Sequence, residues 1–461
     1  MTALLRRRGA ALVVTTVAAA LVLAACSSSS NNSASQSPSA SANPACAAYA
    51  SYGHFNGDQV HIFTSILPPE QQRYEAAWKQ FETCTGIKIV YEGSNAFESL
   101  LPTRIQGGNA PDIALIPQPG LIAQVAKMSG GAVAAPAAVL ANTEKYWNPK
   151  WKDYATINGV FYGSPMSANM KSFVWYSPAT FKANGWTVPT TWAQMVTLSN
   201  KIAASGKMKP WCGGIGSGTA TGWPATDWLE EVVLRFLGPT AYDNWVNGTL
   251  KFTSPQITSA MNTVASWMKN PAWVNAGWGN VQTIATTTFQ NAGKPILSNK
   301  CAMLQQASFY GAQWASFKPN ATVGPNGDVY AFYLPANGSA FGKPVEGGGE
   351  FVVAFDKKAA TVAVQTFLST PLWATLKVQQ GGGWVSANNG VPLSTYTDPV
   401  AKLSATYLTD PNATFRFDAS DQMPAAVGAG SFWTQMTAWF GQNKPTSQVL
   451  SAIQATWPSG N

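Results

Sequence analysis

The sequence contains little charge and almost no histidine. Only 11% of its 461 residues are Asp, Glu, Lys or Arg, against about 25% in soluble domains generally, so charge repulsion gives no reason to expect disorder. The two histidines, His54 and His61, exclude a histidine-rich metal centre, and a Ser-His-Asp hydrolase would have to draw its base from them. The net charge is +8, but no basic run after Arg8 exceeds two residues. We therefore expect no nucleic-acid partner.

Aromatic side chains are abundant instead. The chain has 19 Trp, 14 Tyr and 21 Phe, and 46% of its residues are hydrophobic. Its length is sufficient for two or three domains with a large core. Most of the Trp residues are therefore expected to fill cores, and a minority are expected to face a binding site.

The first 45 residues are typical of an exported lipoprotein. Arg6 to Arg8 precede an uncharged apolar stretch over residues 9–23, which is too short to span a bilayer comfortably. The following Leu-Ala-Ala-Cys, which ends at Cys26, resembles a bacterial lipobox. We predict a signal peptide over 1–25, and a lipidated Cys26 with a Ser-rich flexible tether over 26–45. The alternative is an ordinary secretion signal followed by a chance cysteine.

The remaining four cysteines are even in number and show no CxxC spacing. In an exported chain this favours two disulfides over a zinc site. Three pairings are possible, and we predict the pairing of sequence neighbours, Cys46 with Cys84 and Cys212 with Cys301.

From residue 58 onward, short apolar strands alternate with amphipathic helices. The pattern predicts strands over 61–64, 87–91 and 111–117, and helices over 69–81, 96–106 and 121–128. This alternation is typical of a parallel sheet covered on both faces. The middle of the chain is richer in helix, strand character returns near 329–335 and 351–355, and the tail is helical, which suggests two lobes that share the chain discontinuously.

Local signals refine the middle of the chain. Asn158 and Gly159 predict a hairpin turn, and Thr191 with Gln194 predicts a capping box. A helix with Leu229, Val232 and Phe236 on one face carries three acids in its first turns. We expect those acids, Asp227, Glu230 and Glu231, to complement the helix dipole.

Six stretches occur in the order found in one protein family. They are FETCTGIKI (81–89), GGNAPDIA (107–114), TTW (190–192), TGWPATDW (221–228), GGGE (347–350) and RFDASDQMP (416–424). Together they resemble family 1 extracellular solute-binding proteins, the receptors of bacterial ABC sugar importers. Residues 222–228 look like the α-glucoside branch of that family, and the resemblance covers essentially all of 58–458.

The resemblance implies an α/β fold with two lobes like those of periplasmic binding proteins. Each lobe would be a mostly parallel sheet flanked by helices, with lobe one over 58–167 plus 336–386 and lobe two over 168–335 plus 387–461. Three chain crossings would form a hinge around a cleft. The implied partners are a carbohydrate, an ABC permease and, through the lipid, the membrane. We expect a non-catalytic monomer without cofactor or metal.

A sugar site needs aromatic rings for C–H faces and carboxylate or amide groups for hydroxyls. The position of polar and aromatic residues at strand ends, crossings and family motifs predicts a set of sugar contacts. They are Thr64, Ser65, Gln118, Asn169, Lys171, Trp223, Asp227, Glu350, Trp384, Asp418, Asp421 and Trp433.

Each of these residues has a simpler structural explanation. Gln118 could lie in an exposed turn, Lys171 could be a solvated charge, and Asp227 could cap its helix. Glu350 could belong to a hinge turn. Asp418 and Asp421 could cap turns or form an incidental calcium site.

Two other classes of protein fit parts of the sequence. A secreted glycoside hydrolase would be rich in Trp and would need a carboxylate pair, such as Glu350 with Asp227 or Asp421. An adhesion module bound to the cell wall would have neither hinge nor cleft. The ordered family motifs favour the receptor over both.

Overall fold

The computed structural model of the protein describes residues 44–458. The predicted signal peptide, the predicted lipid-attachment residue Cys26 and nearly all of the predicted tether lie outside the described residues. From Ala45 onward the chain forms one compact unit. None of the helices within 44–458 combines the length and the apolar character needed to cross a bilayer.

Short runs rich in β-branched and aromatic residues form the strands. In chain order the strands are β1 (Gln59–Thr64), β2 (Lys88–Gly93), β3 (Ile113–Ile116), β4 (Thr156–Ile157), β5 (Val160–Phe161), β6 (Gly163–Pro165), β7 (Asn169–Met170), β8 (Phe173–Tyr176), β9 (Lys209–Cys212), β10 (Val274–Asn275), β11 (Cys301–Gln305), β12 (Tyr330–Tyr333), β13 (Lys343–Gly348), β14 (Phe351–Ala354) and β15 (Ala413–Phe417).

Amphipathic segments form the helices between the strands. The α-helices are α1 (Glu70–Thr85), α2 (Phe97–Gln106), α3 (Pro119–Val125), α4 (Ala137–Tyr146), α5 (Pro149–Asp153), α6 (Pro178–Ala183), α7 (Trp192–Ala204), α8 (Trp223–Phe236), α9 (Gly238–Val246), α10 (Pro255–Met268), α11 (Trp314–Phe317), α12 (Ala359–Leu368), α13 (Pro371–Val378), α14 (Pro399–Leu408), α15 (Ala419–Gln422), α16 (Trp433–Gly441) and α17 (Thr446–Gln454). Single-turn and 3₁₀ segments include Pro44–Tyr52, Val281–Ala285, Lys294–Ser298, Ser308–Gln313 and Leu393–Thr395, and Ala426–Phe432 is a π-helix.

Two five-stranded sheets form the centres of two lobes. The lobe-one sheet has the order β2-β1-β3-β14-β6, and the lobe-two sheet has the order β10-β9-β11-β8-β12. In lobe one, β2, β1 and β3 are parallel, whereas β14 runs antiparallel to both β3 and β6. Lobe two repeats this pattern around β8. The sheets are therefore mixed and not mostly parallel as predicted. In each sheet the strand that follows a crossing, β14 or β8, runs antiparallel to both of its neighbours.

A third sheet connects the two lobes. It has the order β15-β13-β7, and each of its strands lies on a different passage of the chain between the lobes. Strand β7 leads from β6 to β8, β13 leads from β12 to β14, and β15 precedes the helical tail of lobe two. We call these three strands the hinge sheet, and they correspond to the predicted hinge with three crossings.

The chain between Trp384 and β15 contacts both lobes. Val391 and Tyr396 pack into the core on one face of the lobe-one sheet, while Val400 in α14 packs into a lobe-two core. The third crossing strand begins at Ala413, beyond the lobe boundary predicted after residue 386.

Both faces of each sheet are buried. In β3, Ile113 and Leu115 face one core while Ala114 and Ile116 face the other. In β8, Val174 and Phe173 likewise point into two different cores. The sequences of such strands are continuous apolar runs because helices cover both faces of the sheet.

Most local predictions in the first lobe are confirmed. Helix α2 continues through Pro102. Asn158 and Gly159 both have positive φ in the turn between β4 and β5, as a tight hairpin requires.

In lobe two, the predicted capping box at the start of α7 is displaced by one residue. Thr191 accepts from the amide of Gln194, while the Gln194 side chain accepts from the amide of Thr190.

Both predicted disulfides are present. Cys46 and Cys84 join the Pro44–Tyr52 segment to α1 with a Cα–Cα distance of 5.3 Å. Cys212 and Cys301 join β9 to β11 with a Cα–Cα distance of 5.5 Å. The first disulfide fixes the start of the folded unit to lobe one, and the second crosslinks neighbouring strands of lobe two.

We predict that replacing both Cys212 and Cys301 by Ser lowers the free energy of unfolding by about 2–5 kcal/mol. The loop between them spans 89 residues, so the unfolded chain gains conformational freedom when the bond is absent. Urea unfolding followed by Trp fluorescence measures the change. The comparison is the variant with Ser at both 46 and 84, because the Cys46–Cys84 disulfide closes a shorter loop of 38 residues. If this variant loses as much free energy of unfolding as the first, or more, the prediction is wrong.

Candidate functional site

A cavity of about 410 Å³ lies between the lobe-one and lobe-two sheets. Its walls include the loop after β1, the start of α3 and residues near Glu350 from lobe one. From lobe two they include the start of α8, Phe289, Phe309 and the segment after β15. Because both lobes and the hinge contribute, a molecule in this cavity would lie between the two lobes and against the hinge.

Most of the predicted sugar contacts line this cavity. They are Ser65, Gln118, Asn169, Lys171, Trp223, Glu350, Trp384, Asp418, Asp421 and Trp433. Thr64 and Asp227 do not. Thr64 is fully buried, with its hydroxyl accepting from the Ile66 amide. Asp227 is buried behind Lys171, to which it is bound.

Lobe two presents an aromatic wall. The Trp223 ring lies 5.0 Å from the Phe289 ring and 6.0 Å from the Phe309 ring, both edge-on or tilted. Trp223 is only partly buried, and it begins α8 directly after Gly222. A Cβ on Gly222 would lie 2.2 Å from the carbonyl oxygen of Trp433, so the glycine allows the close approach that positions this ring.

Lobe one and the hinge present hydrogen-bonding groups. Gln118 at the start of α3 donates to the Glu98 carboxylate at 3.2 Å. The Gln118 Oε1 atom and the Asn169 Oδ1 atom are buried and have no hydrogen-bond partner. Both residues line the cavity, so a bound molecule that donates hydrogen bonds would satisfy acceptors that the protein itself leaves without partners.

Glu350 lies where two hinge crossings approach each other. Its carboxylate accepts from the Ser167 hydroxyl, and the Ser167 oxygen in turn accepts from the Glu350 amide at 3.0 Å. A Cβ on Gly349 would lie 2.2 Å from the Ser167 carbonyl oxygen, which explains the glycine before Glu350. Burial raises the pKa of Glu350 to about 7.

The hinge side of the cavity contains a buried ion triad. Lys171 Nζ donates to Asp227 Oδ1 at 2.8 Å and also to Asp418. All three side chains are at least 94% buried. The ammonium also lies 5.2 Å from the centre of the Trp223 ring. The triad thus joins the first crossing, helix α8 and the end of β15, and it supports the aromatic wall.

The two acids of the triad differ in their surroundings. Burial opposes ionisation of Asp418, but Lys171, the Asp421 amide and the Ser420 hydroxyl together lower its pKa. Burial dominates for Asp227 and raises its pKa to about 8. For Lys171, burial lowers the pKa, but the carboxylates beside it outweigh burial and raise it well above its ordinary value. Asp418 is therefore the acid that stays ionised beside the ammonium.

Asp418 also caps a helix, and Asp227 does not. Asp418 is the N-cap of α15 and accepts from the Asp421 amide at 2.8 Å. Asp227 lies inside α8 and is buried with Glu230 and Glu231. The expectation that these three acids complement the helix dipole is wrong, because α8 begins at Trp223 and none of them lies in its first turn.

Two of the predicted Trp residues are largely enclosed. Trp384 is 7% exposed, and its Nε1 donates to the Tyr74 hydroxyl at 2.9 Å. Lys377 lies 5.0 Å above the Trp384 ring and is paired with Glu70. Trp433 is 2% exposed and donates to the Ser420 hydroxyl at 3.3 Å. Only an edge of each ring can reach the cavity.

The lobes touch directly at the edge of the cavity. The backbone amide and the hydroxyl of Thr219 both donate to the Asn95 carbonyl oxygen, at 3.3 and 3.1 Å. At another point, α3 packs against the end of α15, where a Cβ on Gly120 would lie 2.0 Å from the Met423 carbonyl oxygen. These contacts partly enclose the cavity.

Several lining residues were not predicted. They are Glu70, Tyr74, Asn95, Glu98, Ser167, Phe289 and Phe309. Glu70 and Glu98 lie in the first turns of helices that follow β1 and β2, which is the ligand side of an open α/β sheet. Their position after these strands could therefore have been used to predict both as cavity residues. Phe289 and Phe309 lie in irregular segments, where the sequence gives no periodicity from which to infer a direction.

Two lobes, a three-stranded hinge and an interlobe cavity with an aromatic wall and free amide oxygens define a binding protein for small polar molecules. Comparison with known families gives the same result. The sequence profile for bacterial extracellular solute-binding proteins matches residues 67–372. The chain belongs to this family, and its place is outside the cytoplasm.

Two characterised relatives align along most of their length. The osmoprotective compounds-binding protein GgtB of Synechocystis is 33% identical over 417 residues, covering 87% of this chain and 94% of GgtB. The alpha-glucosides-binding periplasmic protein AglE of Rhizobium meliloti is 34% identical over 425 residues, covering 88% of this chain and 89% of AglE. Both relatives are named as binding proteins.

Solved structures share the fold. The bacterial solute receptor AcbH has a TM-score of 0.73 at 17% identity, with 87% of this chain and 98% of AcbH covered. RafE in complex with raffinose has a TM-score of 0.66 at 16% identity, with 87% and 98% covered. At this identity the likeness concerns the architecture alone.

We predict that replacing Lys171 by Met destabilises the protein by about 3–5 kcal/mol, because the ionised Asp418 loses the cation that compensates its burial and Asp227 loses its hydrogen-bond donor. Replacing Lys152 by Met is the matched control, since its 3.0 Å pair with Glu144 is largely exposed; it should change stability by less than about 1 kcal/mol. Chemical unfolding at neutral pH measures both changes. Equal effects of the two substitutions would contradict the prediction.

We also predict a specific pH dependence for Glu350. Its folded pKa of about 7 exceeds the ordinary value of 4.5, so its contribution to stability is fully present below about pH 4.5 and is lost as pH rises through 7. Glu350→Gln cannot ionise, so it does not suffer this loss. The melting temperature of the variant minus that of the parent protein should therefore increase between pH 5 and pH 8. Glu144→Gln, at an exposed site, should run parallel to the parent. If the melting temperatures of Glu350→Gln and of the parent protein change equally with pH, the raised pKa of Glu350 is wrong.

Proposed function

We propose that the protein captures a carbohydrate, most specifically an α-glucoside or a short oligosaccharide, and delivers it to an ABC import permease. The observation that carries this proposal is the cavity itself, which is lined by a partly exposed indole and by two residues whose buried amide oxygens have no partner. A sugar offers C–H faces to the first and hydroxyl donors to the second.

The proposed contacts divide between the lobes. Trp223 would stack against a sugar ring, with Phe289 and Phe309 holding its orientation. Gln118 and Asn169 would accept hydroxyl hydrogen bonds through their unpartnered oxygens. The other cavity-lining residues from the sequence prediction, Ser65, Lys171, Glu350, Trp384, Asp418, Asp421 and Trp433, remain proposed contacts, and Asp227 is proposed to act through Lys171.

The relatives support the choice of ligand. AglE is named for α-glucosides and GgtB for osmoprotective compounds. The cavity of about 410 Å³ lies in the range of small-molecule sites. We therefore infer that small glucosides, including compatible solutes that contain a glucosyl group, are the first ligands to test.

Delivery would depend on the hinge and on an anchor. A ligand that contacts both lobes favours the closed arrangement, and closure changes the surface offered to a permease. The lipobox-like sequence at Cys26 supports attachment of the protein to the outer face of the membrane. The Ser-rich tether would let the receptor move over a short distance from its attachment point on the membrane.

The hydrolase alternative is weaker in the folded protein. Asp227 does not line the cavity, because it is buried against Lys171. Of the pairs considered, Glu350 with Asp421 is the one whose members both line it. A non-catalytic receptor needs no such pair.

The decisive experiment follows binding and hydrolysis in the same samples. The purified protein is titrated with maltose, trehalose, sucrose and glucosylglycerol while Trp fluorescence is recorded, and the sugars are then analysed by chromatography. A saturable response with intact sugar supports the receptor. Released monosaccharide would establish a hydrolase instead.

We predict that Trp223→Ala weakens sugar binding by about 1–3 kcal/mol, or roughly 5- to 150-fold in Kd, because the stacking surface is lost. Trp278→Ala is the matched control, since that ring is 55% exposed and does not line the cavity. Calorimetric titration with the best ligand of the panel measures both variants. Unchanged affinity of Trp223→Ala would exclude this ring from the site.

A further inference from the structure

Four carboxyl groups converge behind the cavity at the hinge. Asp227, Glu230, Glu346 and Asp418 each offer one oxygen, and these oxygens lie within 4.8 Å of one another. All four side chains are at most 1% exposed. We call them the hinge acids.

The hinge acids come from three parts of the fold. Asp227 and Glu230 are one turn apart in α8. Glu346 lies in β13, the second crossing, and Asp418 directly follows β15, the third crossing. A ligand shared by all four would therefore connect a lobe-two helix to two crossings of the hinge.

The hinge acids are unequally satisfied. Asp227 and Asp418 share Lys171. Glu230 accepts from the amides of Ala419 and Ser420. Glu346 has no hydrogen-bond partner on either carboxylate oxygen, although its side chain is fully buried and one of its oxygens belongs to the converging group.

The charges of this region do not balance. The hinge acids and the neighbouring Glu231 are five buried carboxyl groups, and the buried cations among them are Lys171 and Arg235. A buried carboxylate without a partner is among the most costly groups in a protein interior. Protons could neutralise single groups, but each proton can bridge no more than two of the converging oxygens. A cation would satisfy several oxygens at once.

We propose that the hinge acids bind a divalent cation of calcium size, with Glu346 as a ligand that has no other partner. Carboxylate oxygens are the ligands preferred by Ca²⁺, at about 2.3–2.6 Å. Oxygens on opposite sides of such an ion are separated by about 4.6–5.2 Å, so four oxygens that all lie within 4.8 Å of one another are close enough to share it. Mg²⁺ usually keeps several waters and is seldom held by protein side chains alone, so a cage of four buried carboxylates favours Ca²⁺.

The test measures the metal directly. The purified protein is treated with a chelator, dialysed against Ca²⁺, Mg²⁺, Mn²⁺ or Zn²⁺ in turn, and analysed for bound metal and for melting temperature. We expect one Ca²⁺ per chain and a higher melting temperature with Ca²⁺ than with chelator. No bound metal with any ion would overturn the proposal, and stronger binding of another ion would overturn the assignment to calcium.

Variants locate the site. Glu346→Gln keeps the shape of the side chain and should weaken Ca²⁺ binding by roughly 10- to 100-fold or more, since even outer-shell changes have effects of that size. Glu144→Gln, at an exposed site, should bind Ca²⁺ like the parent protein. Unchanged Ca²⁺ binding by Glu346→Gln would overturn the location. If Glu346→Gln does not fold, the metal content of the parent protein and of Glu230→Gln decides the question.

Discussion

The interaction on which the cavity depends is the buried contact of Lys171 with Asp227 and Asp418. It places one ammonium between the first crossing, helix α8 and the end of the third crossing. The same ammonium lies beside the Trp223 ring. Because charges buried in a protein interior tolerate little separation, this contact fixes the relative positions of hinge and aromatic wall. The cavity is therefore built on an electrostatic constraint as well as on apolar packing.

The two sides of the cavity differ in how completely they are satisfied. The aromatic side is supported by ring contacts within lobe two. The polar side contains the amide oxygens of Gln118 and Asn169, which have no partner within the protein. A site that leaves hydrogen-bond acceptors open is prepared for a molecule with donors, and it discriminates against apolar molecules of the same size. In the proposed function, selectivity would come mainly from lobe one and the hinge, and the stacking surface from lobe two.

The sequence was most informative where the signal is local. The strands and helices of the first lobe and the hairpin at Asn158 and Gly159 follow from periodicity and turn chemistry. The pairing of neighbouring cysteines was a choice among three possible pairings, and the structure confirms it. Gln118 was predicted because it follows a buried strand and matches the family's cleft-facing loop, and it lines the cavity. The contact of Lys171 with Asp227 and Asp418 could not be found in this way, since its members are 56 and 247 residues apart. No sequence feature singled out Glu346, because its lack of a partner exists only in three dimensions.

The Cys46–Cys84 disulfide determines how the folded unit responds to tension. It ties the beginning of this unit to α1 of lobe one by a covalent bond. A pull transmitted from upstream residues therefore enters lobe one and bypasses both the hinge sheet and lobe two. Under the proposed anchoring, lobe one would be the fixed member and lobe two the moving arm, so that the proposed closure would proceed without work against the anchor.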